Sequence, residues 1–538
     1  MMQLKVNNVR ISLLHECSLE QALCKKLGLS PAALGQVKLL RKAVDARKKQ
    51  EICLNHHVLV EVDVNKNSRL GKRLLADRDV ASYVVPAKEG LELGKLPLAA
   101  PPVVIGAGPA GLLAALQLAE YGYKPLLLER GKPVAQRVTD VDRFWRTGQF
   151  DEASNVQFGE GGAGTFSDGK LTTRVNDPVM AEILQLFVDA GAPENILWEH
   201  KPHVGTDKLR AMVTGLSKRI CQLGGSIRYE AQVTDFIIEG SSVQGVVLAD
   251  GERIKAGAVV LACGHSARDT YAMLAQRGIG IVSKPFAIGV RIEQPQERID
   301  RAQYGSFAGN HLLGAADYAL VYHTPDKSRT AYSFCMCPGG QVVAAASERG
   351  GVVVNGMSMF RRDSGIANSA VVVNVTADDM GGDSPLAGIE FQRRYEDLAY
   401  QAGGSNYHAP AQTVGSFLSR PGAPQEGPIH SYRPGVTWTD LHEVLPGFVT
   451  TTLEQALPYF GRRIHGFDDD DVVMTGVETR TSAPVRIVRG EDRMALGAAG
   501  LYPSGEGAGY AGGIMGAFLD GLETAIEIIR KYQPLEVK

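Results

Sequence analysis

Gly106, Gly108 and Gly111 stand at G-x-G-x-x-G spacing, and Glu129 follows eighteen residues after the last of them. Such a set can hold a dinucleotide. The first glycine permits a tight turn, the second lets a pyrophosphate approach the backbone, and the third lets a helix pack closely on a strand. The helix that begins there turns free N–H groups and the positive end of its dipole towards phosphate. Glu129 is placed to accept hydrogen bonds from ribose hydroxyls. Arg130 beside it would suit a 2′-phosphate, but the charge of Glu129 would repel one, which disfavours NADP.

Two distant stretches favour FAD over a one-nucleotide NAD domain. "VVLACG", ending in Cys263 and Gly264, is an apolar strand running into a small-residue turn. "GLYPSGEGAGYAGGI", from Gly500 to Ile514, is a glycine loop leading into a helix. An NAD domain requires neither element so far downstream. A third stretch, "GEGGAGTFSDGKLTTR" from Gly159 to Arg174, is too poor in apolar side chains to build a core. Glycine costs backbone entropy, so such a cluster marks close approach of a ligand to the backbone, or else a long surface loop.

A flavin carries hydride chemistry itself, and the protein supplies position and electrostatics. Charged residues beside the glycine loops are therefore the catalytic candidates: Arg480 first, with Glu478 in the same "GVETRTSAPVRIVR" segment and Arg291 in "FAIGVRIE". Arg480 would stabilise negative charge on a reduced flavin or hold a substrate carboxylate. Cys335 and Cys337 sit two apart in a strand-like run, which turns both to one face. A redox dithiol beside flavin is conceivable there, and buried structural cysteines are the preferred reading. His265, after "CG", reads as a turn-capping residue with a proton-shuttle alternative.

The elements that must position these residues follow from pattern. With 538 residues, 44% hydrophobic and 22% charged, the chain should hold two to four domains. Sixty-one glycines are about 11% of the chain, against roughly 7% on average. Residues 1–95 read as a small basic α+β unit, with amphipathic helices expected between Ser18 and Lys49. Residues 97–280 and 476–538 read as two parts of one nucleotide domain, with 281–475 as an inserted α+β cap. "AYSFCM" and "QVVAAAS", flanking Pro338-Gly339-Gly340, read as a hairpin. The apolar run from Leu96 to Ala119 is broken by prolines and glycines and does not read as a membrane span. The seven scattered cysteines, without paired C-x-x-C motifs, give no metal site; a reducing cytoplasm is the expected location.

GxGxxG with Glu129, the "VVLACG" turn and the "GLYPSGEGAG…GG…DGLETA" end resemble flavoproteins of the glutathione-reductase-like fold, in the branch that includes fumarate reductases. The N-terminal unit, "NVQFGEGGAGTFSDGKL" and "GVETRTSAPVRI" together resemble a bacterial family of uncharacterised FAD-dependent dehydrogenases. The resemblance implies an α/β Rossmann-like FAD domain of that type, with cap and N-terminal domain. It implies that Gly106, Ala107, Gly108, Pro109, Ala110 and Gly111 line the pyrophosphate. Val233 would meet adenine through its backbone, and Gly505, Glu506 and Gly507 would lie near the ribityl chain. Gly512, Gly513 and Ile514 would lie at the flavin end. Gly161, Gly162, Ala163, Gly164, Thr165, Ser167, Asp168, Gly169 and Lys170 would lie beside the isoalloxazine. The sequence offers no second strand–GxGxxG–helix unit for NAD(P)H.

The function this implies is an FAD-dependent oxidoreductase, exchanging a hydride with a small organic substrate. Two other readings stand beside it. One is an RNA-modifying or RNA-binding flavoprotein using Lys38, Arg41, Lys42, Arg47, Lys48 and Lys49 on a basic helix. The other is a flavin-binding sensor without turnover. A net charge of −2 gives no general argument for nucleic acid or membrane, and no tight nucleic-acid complex is expected.

Overall fold

The computed structural model describes residues 2–15, 17–84, 90–172 and 179–535. Thr173 and Arg174, at the end of the glycine-rich run, lie outside them.

The nucleotide unit is built on a five-stranded parallel sheet. Its order is Leu501–Pro503, Val259–Leu261, Val103–Ile105, Leu126–Leu128, Ser226–Arg228. Short, almost wholly apolar strands suit a parallel sheet covered on both faces. Alternation divides their side chains. Val104, Leu127, Val260 and Tyr502 pack on the helices Pro109–Glu120, Thr206–Gln222 and Gly513–Lys531. Val103, Ile105, Leu128, Val259 and Leu261 pack beneath a three-stranded antiparallel sheet, Arg253–Lys255, Ser242–Leu248 and Val233–Glu239. The strand Leu501–Pro503 pairs in parallel with Val259–Leu261, so the end of the chain returns to the sheet begun at Val103.

The intervening chain forms a seven-stranded sheet. Its order is Val321–His323, Thr330–Cys337, Ile366–Val375, Phe286–Pro295, Val473–Glu478, Ala409–Thr413, Val436–Trp438. All its pairings are antiparallel except that of the last two strands. The helix Gly447–Arg463 covers one face, supplying Val449, Leu453, Leu457 and Phe460 to the largest core. The strand Val473–Glu478 straddles the boundary expected at 475/476, because its ladder partners lie in this sheet.

The N-terminal unit is a four-stranded antiparallel sheet, Leu34–Asp45, Cys53–Val62, Met2–Ser12, Val80–Ser82, packed on helix Leu19–Leu27. Ser18 caps that helix in a reciprocal box with Gln21. The basic segment that sequence reads as a helix is instead the edge strand Leu34–Asp45, paired with Cys53–Val62. Ladder pairing overrides helical propensity here, and lysines and arginines on an edge strand discourage further pairing. Lys42 exchanges backbone hydrogen bonds with Trp198 and His200, and its ammonium meets Glu199 at 3.4 Å. Part of the basic stripe therefore docks this unit onto the nucleotide unit.

The Pro338-Gly339 corner does not close a hairpin. Thr330–Cys337 pairs with Val321–His323 and Ile366–Val375, whereas Gly340–Ala344 pairs with Val354–Ser358. The corner passes the chain from one sheet to another. Among the described residues no helix is long and apolar enough to cross a membrane.

Candidate functional site

The three glycines of the fingerprint do three different things. Gly106 has φ +97°, and a Cβ there would lie 2.4 Å from the Ala262 carbonyl oxygen. A Cβ on Gly111 would lie 1.8 Å from the Gly106 carbonyl oxygen, so that glycine lets helix and turn touch. A Cβ on Gly108 would meet only the Gly162 Cα, at 3.8 Å. It would otherwise project into a cleft of about 1540 Å³, measured with its open mouth. Gly108 is the N-cap of helix Pro109–Glu120, so the helix start faces that space.

Glu129 is 5% exposed, and its carboxylate accepts from three backbone N–H groups: Ala107 at 2.8 Å, Gly131 at 2.9 Å and Gly159 at 3.0 Å. A carboxylate has about four acceptor sites, so roughly one is left for a hydroxyl. Glu129 thus ties the fingerprint turn to the glycine-rich loop. Arg137 pins the same loop from below. It is fully buried and donates to the carbonyls of Asn155, Val156, Gly159 and Glu160. Arg130 pairs with Asp269 at 3.1 Å and lies 4.4 Å over the Phe158 ring, so it is directed at protein rather than at a 2′-phosphate.

The cleft brings most of the sequence candidates together. Gly106, Gly108, Pro109, Ala110, Glu129, Arg130, Val233, Cys263 and Gly264 line one end. Gly162, Ala163, Gly164, Ser167, Asp168, Gly169, Lys170, Gly505, Glu506, Gly513, Ile514, Glu478 and Arg480 line the rest. Ala107, Gly111, Gly161, Thr165, Gly507 and Gly512 are not on its wall. They hold the wall in place: Gly161 donates to the Ala107 carbonyl, and a Cβ on Gly507 would strike the Gly264 carbonyl at 2.5 Å. Gly512 caps the last helix.

Arg291 corrects an expectation. It is buried behind the wall, where its Nε donates to Glu478 Oε2 at 2.6 Å. Its two terminal nitrogens reach the Cys335 carbonyl, Asn368, Asn355 and Glu478 Oε1. Those contacts use all five guanidinium N–H groups, so Arg291 holds the wall and cannot act in the cleft. Burial pushes the Glu478 carboxyl above its ordinary range, and Arg291 offsets only part of that.

Arg480 is on the wall, and a partner invisible in sequence holds it. The Glu396 carboxylate, on helix Ala387–Ala402, accepts from Arg480 Nε at 3.1 Å and a terminal nitrogen at 2.9 Å. It also accepts from Arg268, at 2.8 and 2.9 Å, and from the Thr479 hydroxyl at 2.7 Å. Burial opposes ionisation of Glu396, but Arg268 and Arg480 outweigh it and hold the carboxyl well below its ordinary range. Arg480 also donates to Ser347. Of five N–H groups three are engaged, which leaves two without a partner among the described residues. His265 lines the cleft close by. Burial, then Arg480 and Arg268, push its pKa to about 3, so the imidazole is neutral. Its Nδ1 lies 3.0 Å from the Ser266 hydroxyl.

Phe334, Cys335 and Asn355 also line the cleft and have no counterpart in the motifs. Cys335 has φ +43°, and the ladder to Ile366–Val375 breaks between Phe334 and Cys337. The strict alternation expected of Cys335 and Cys337 therefore fails: Cys335 faces the cleft and Cys337 is buried. All seven cysteines are free thiols.

The fold and the site define an FAD-dependent protein with a Rossmann-like nucleotide-binding domain. A family model described as "FAD-dependent protein, C-terminal domain-like" matches residues 285–481. An NAD(P)-binding Rossmann-like model matches 104–159, the strand–turn–helix fingerprint that FAD and NAD domains share. A domain of unknown function matches 2–61. An uncharacterised protein of Clostridium beijerinckii is 44% identical over 536 residues, 99% of each chain, and this chain belongs to its family. Among solved structures, flavin-dependent brominase Bmp2 aligns at 13% identity over 79% of this chain and 78% of its own, with TM-score 0.36. Quinol fumarate reductase FrdA of E. coli aligns at 14% identity over 80% and 69%, with TM-score 0.35. Likeness at that level does not bear on the reaction.

FAD is the cofactor, and the cleft fits it. Positive-φ glycines at 264 and 513, together with Gly108, leave backbone open where side chains would fill the space. The lining runs from a carboxylate at Glu129 to a cation at Arg480.

Proposed function

We propose that this chain is an FAD-dependent oxidoreductase acting on a small organic substrate. The substrate is held where the glycine-rich loop 162–170 faces the wall of the seven-stranded sheet. When bound, FAD supplies the hydride chemistry. The observation that carries the reading is Arg480: a buried cation on the cleft wall, clamped by Glu396, with two N–H groups to spare. A cation held so rigidly needs no reorganisation to meet developing negative charge, whether on the flavin ring or on a substrate carboxylate. Glu506, whose pKa burial raises to about 7, is the wall group suited to hold or release a proton near neutrality. Gly108 and the start of helix Pro109–Glu120 would take the pyrophosphate, and Glu129 the ribose. The substrate is a small molecule in this reading, and the basic edge strand is a docking surface between units of the chain.

The test is anaerobic bleaching of the flavin across a metabolite panel that includes NADH and NADPH. Arg480→Lys should lower turnover of any bleaching substrate by about tenfold to a thousandfold, because charge survives but the planar fork is lost. If Arg480→Ala binds and turns over that substrate like the wild type, the assignment of Arg480 fails. Bleaching by NADPH alone would replace the organic-donor reading with a nicotinamide reductase.

A further inference from the structure

Cys335 and Cys337 are not explained by packing. The carbonyls of three successive residues are taken by side chains: Cys335 by Arg291 at 2.8 Å, Met336 by the Lys170 ammonium, and Cys337 by Asn368 at 3.5 Å. These donors hold Cys335 in a left-handed conformation that β-strand residues avoid, and residues so over-determined cluster at functional sites. The Cys337 Sγ turns back to the Cys335 carbonyl at 3.3 Å. One thiol is on the cleft wall, its partner lies behind it, and two cations flank them.

We propose that Cys335 and Cys337 are a second two-electron redox couple of this chain, exchanging electrons with the flavin. In the oxidising direction the Sγ–Sγ bond forms and the Cys337 S–H bond breaks. Two electrons and that proton pass to oxidised flavin; in reverse, reduced flavin opens the disulfide. The inference rests on FAD occupying the cleft and goes beyond the substrate reading, which it does not need.

The surroundings suit a thiolate. The neighbouring Cys337 thiol, then Arg291 and Lys170, draw the Cys335 thiol below its ordinary range against burial and Asp168. Glu478 and Glu506 also face it and oppose ionisation. Cys335 beside it and burial raise the Cys337 thiol, which keeps its proton until the disulfide forms. A thiolate beside a protonated partner is the arrangement that begins thiol–disulfide chemistry.

The test uses the flavin-loaded full chain. Anaerobic dithionite titration of air-oxidised protein should take up about four electrons per flavin, and about two in Cys335→Ser or Cys337→Ser at unchanged flavin content. Peptide mapping across glutathione buffers should find the 335–337 disulfide, with the other five cysteines alkylated throughout. In the reduced wild type, alkylation of Cys335 should outpace that of exposed Cys221 by about tenfold at neutral pH. Uptake of two electrons by the wild type, with no mapped 335–337 bridge at any poise, overturns the proposal. A protein that binds no flavin would sink the cofactor reading instead, and absence of the bridge in that protein would still count against the couple.

Discussion

The two units that face each other across the cleft recognise in different ways. The parallel-sheet unit presents much backbone: glycines at 106, 108, 162, 164 and 505, a helix start, and Glu129, whose carboxylate already accepts from three N–H groups. The seven-stranded unit presents side chains held by buried charges, Arg480 on Glu396 and Glu478 on Arg291. Backbone recognition of a pyrophosphate is the same whatever reaction follows. The charge proposed to act on the substrate or flavin, Arg480, falls on the second unit, and the group proposed to move a proton, Glu506, on the first.

The largest effects should separate glycines that shape the ligand space from glycines that shape the fold. Gly108→Val adds atoms to the cleft with no protein atom closer than 3.8 Å to the new Cβ. Flavin content after reconstitution should fall by more than about a hundredfold, while the melting temperature of the flavin-free chain stays within a few degrees. Gly111→Ala places a Cβ 1.8 Å from a backbone oxygen and should cost about 3 kcal/mol or more of stability. If the two variants behaved alike, the division of labour within the fingerprint would be wrong.

On the other wall, Glu396→Gln leaves Arg268 and Arg480 buried without their shared carboxylate. Removing one partner of a buried ion pair costs about 3–5 kcal/mol, to be read by denaturant unfolding. A loss under about 1 kcal/mol would mean that the clamp on Arg480 is not what orders this wall.

A smaller effect is set by pH. Glu293, buried in the seven-stranded sheet, accepts from Ser431, yet its Oε2 has no partner, and burial raises its pKa from 4.5 to about 7. Between those values the folded chain binds the extra proton, so stability falls as pH rises through the window. The loss is at most about 3 kcal/mol above pH 7. Glu293→Gln removes this dependence, so its stability relative to wild type should climb from pH 5 to pH 8. A flat difference would show that Glu293 is ionised throughout.

The smallest effect tests the basic residues just past the edge strand Leu34–Asp45. Lys48→Glu should leave flavin content and unfolding unchanged, and no tight RNA complex should form at physiological salt. A submicromolar, steeply salt-dependent RNA complex lost in that variant would restore the nucleic-acid reading.

What could be read directly was local. The GxGxxG turn, its helix and Glu129 fall within one βαβ unit, and the distant "VVLACG" and "GLYPSGEGAG" ends are strand–turn patterns legible one at a time. The edge strand Leu34–Asp45 was misread because pairing with Cys53–Val62, not its own propensity, decides its state. The hairpin at Pro338 was misread for a related reason, since turn residues fix a corner but not the partners of the strands that leave it.

The sequence by itself determined that a dinucleotide would be held, because a pyrophosphate asks only for backbone at fixed spacing. Tertiary structure decided which charges act. Glu396 reaches Arg480 across 84 residues of sequence, and Arg291 meets Glu478 across 187. Cys335 turns to the cleft where the ladder to Ile366–Val375 breaks, and Arg291, Lys170 and Asn368 hold the carbonyls of that break. Ion pairs between distant elements leave no periodic trace in a sequence, because the energy of a buried charge depends on what packing brings beside it.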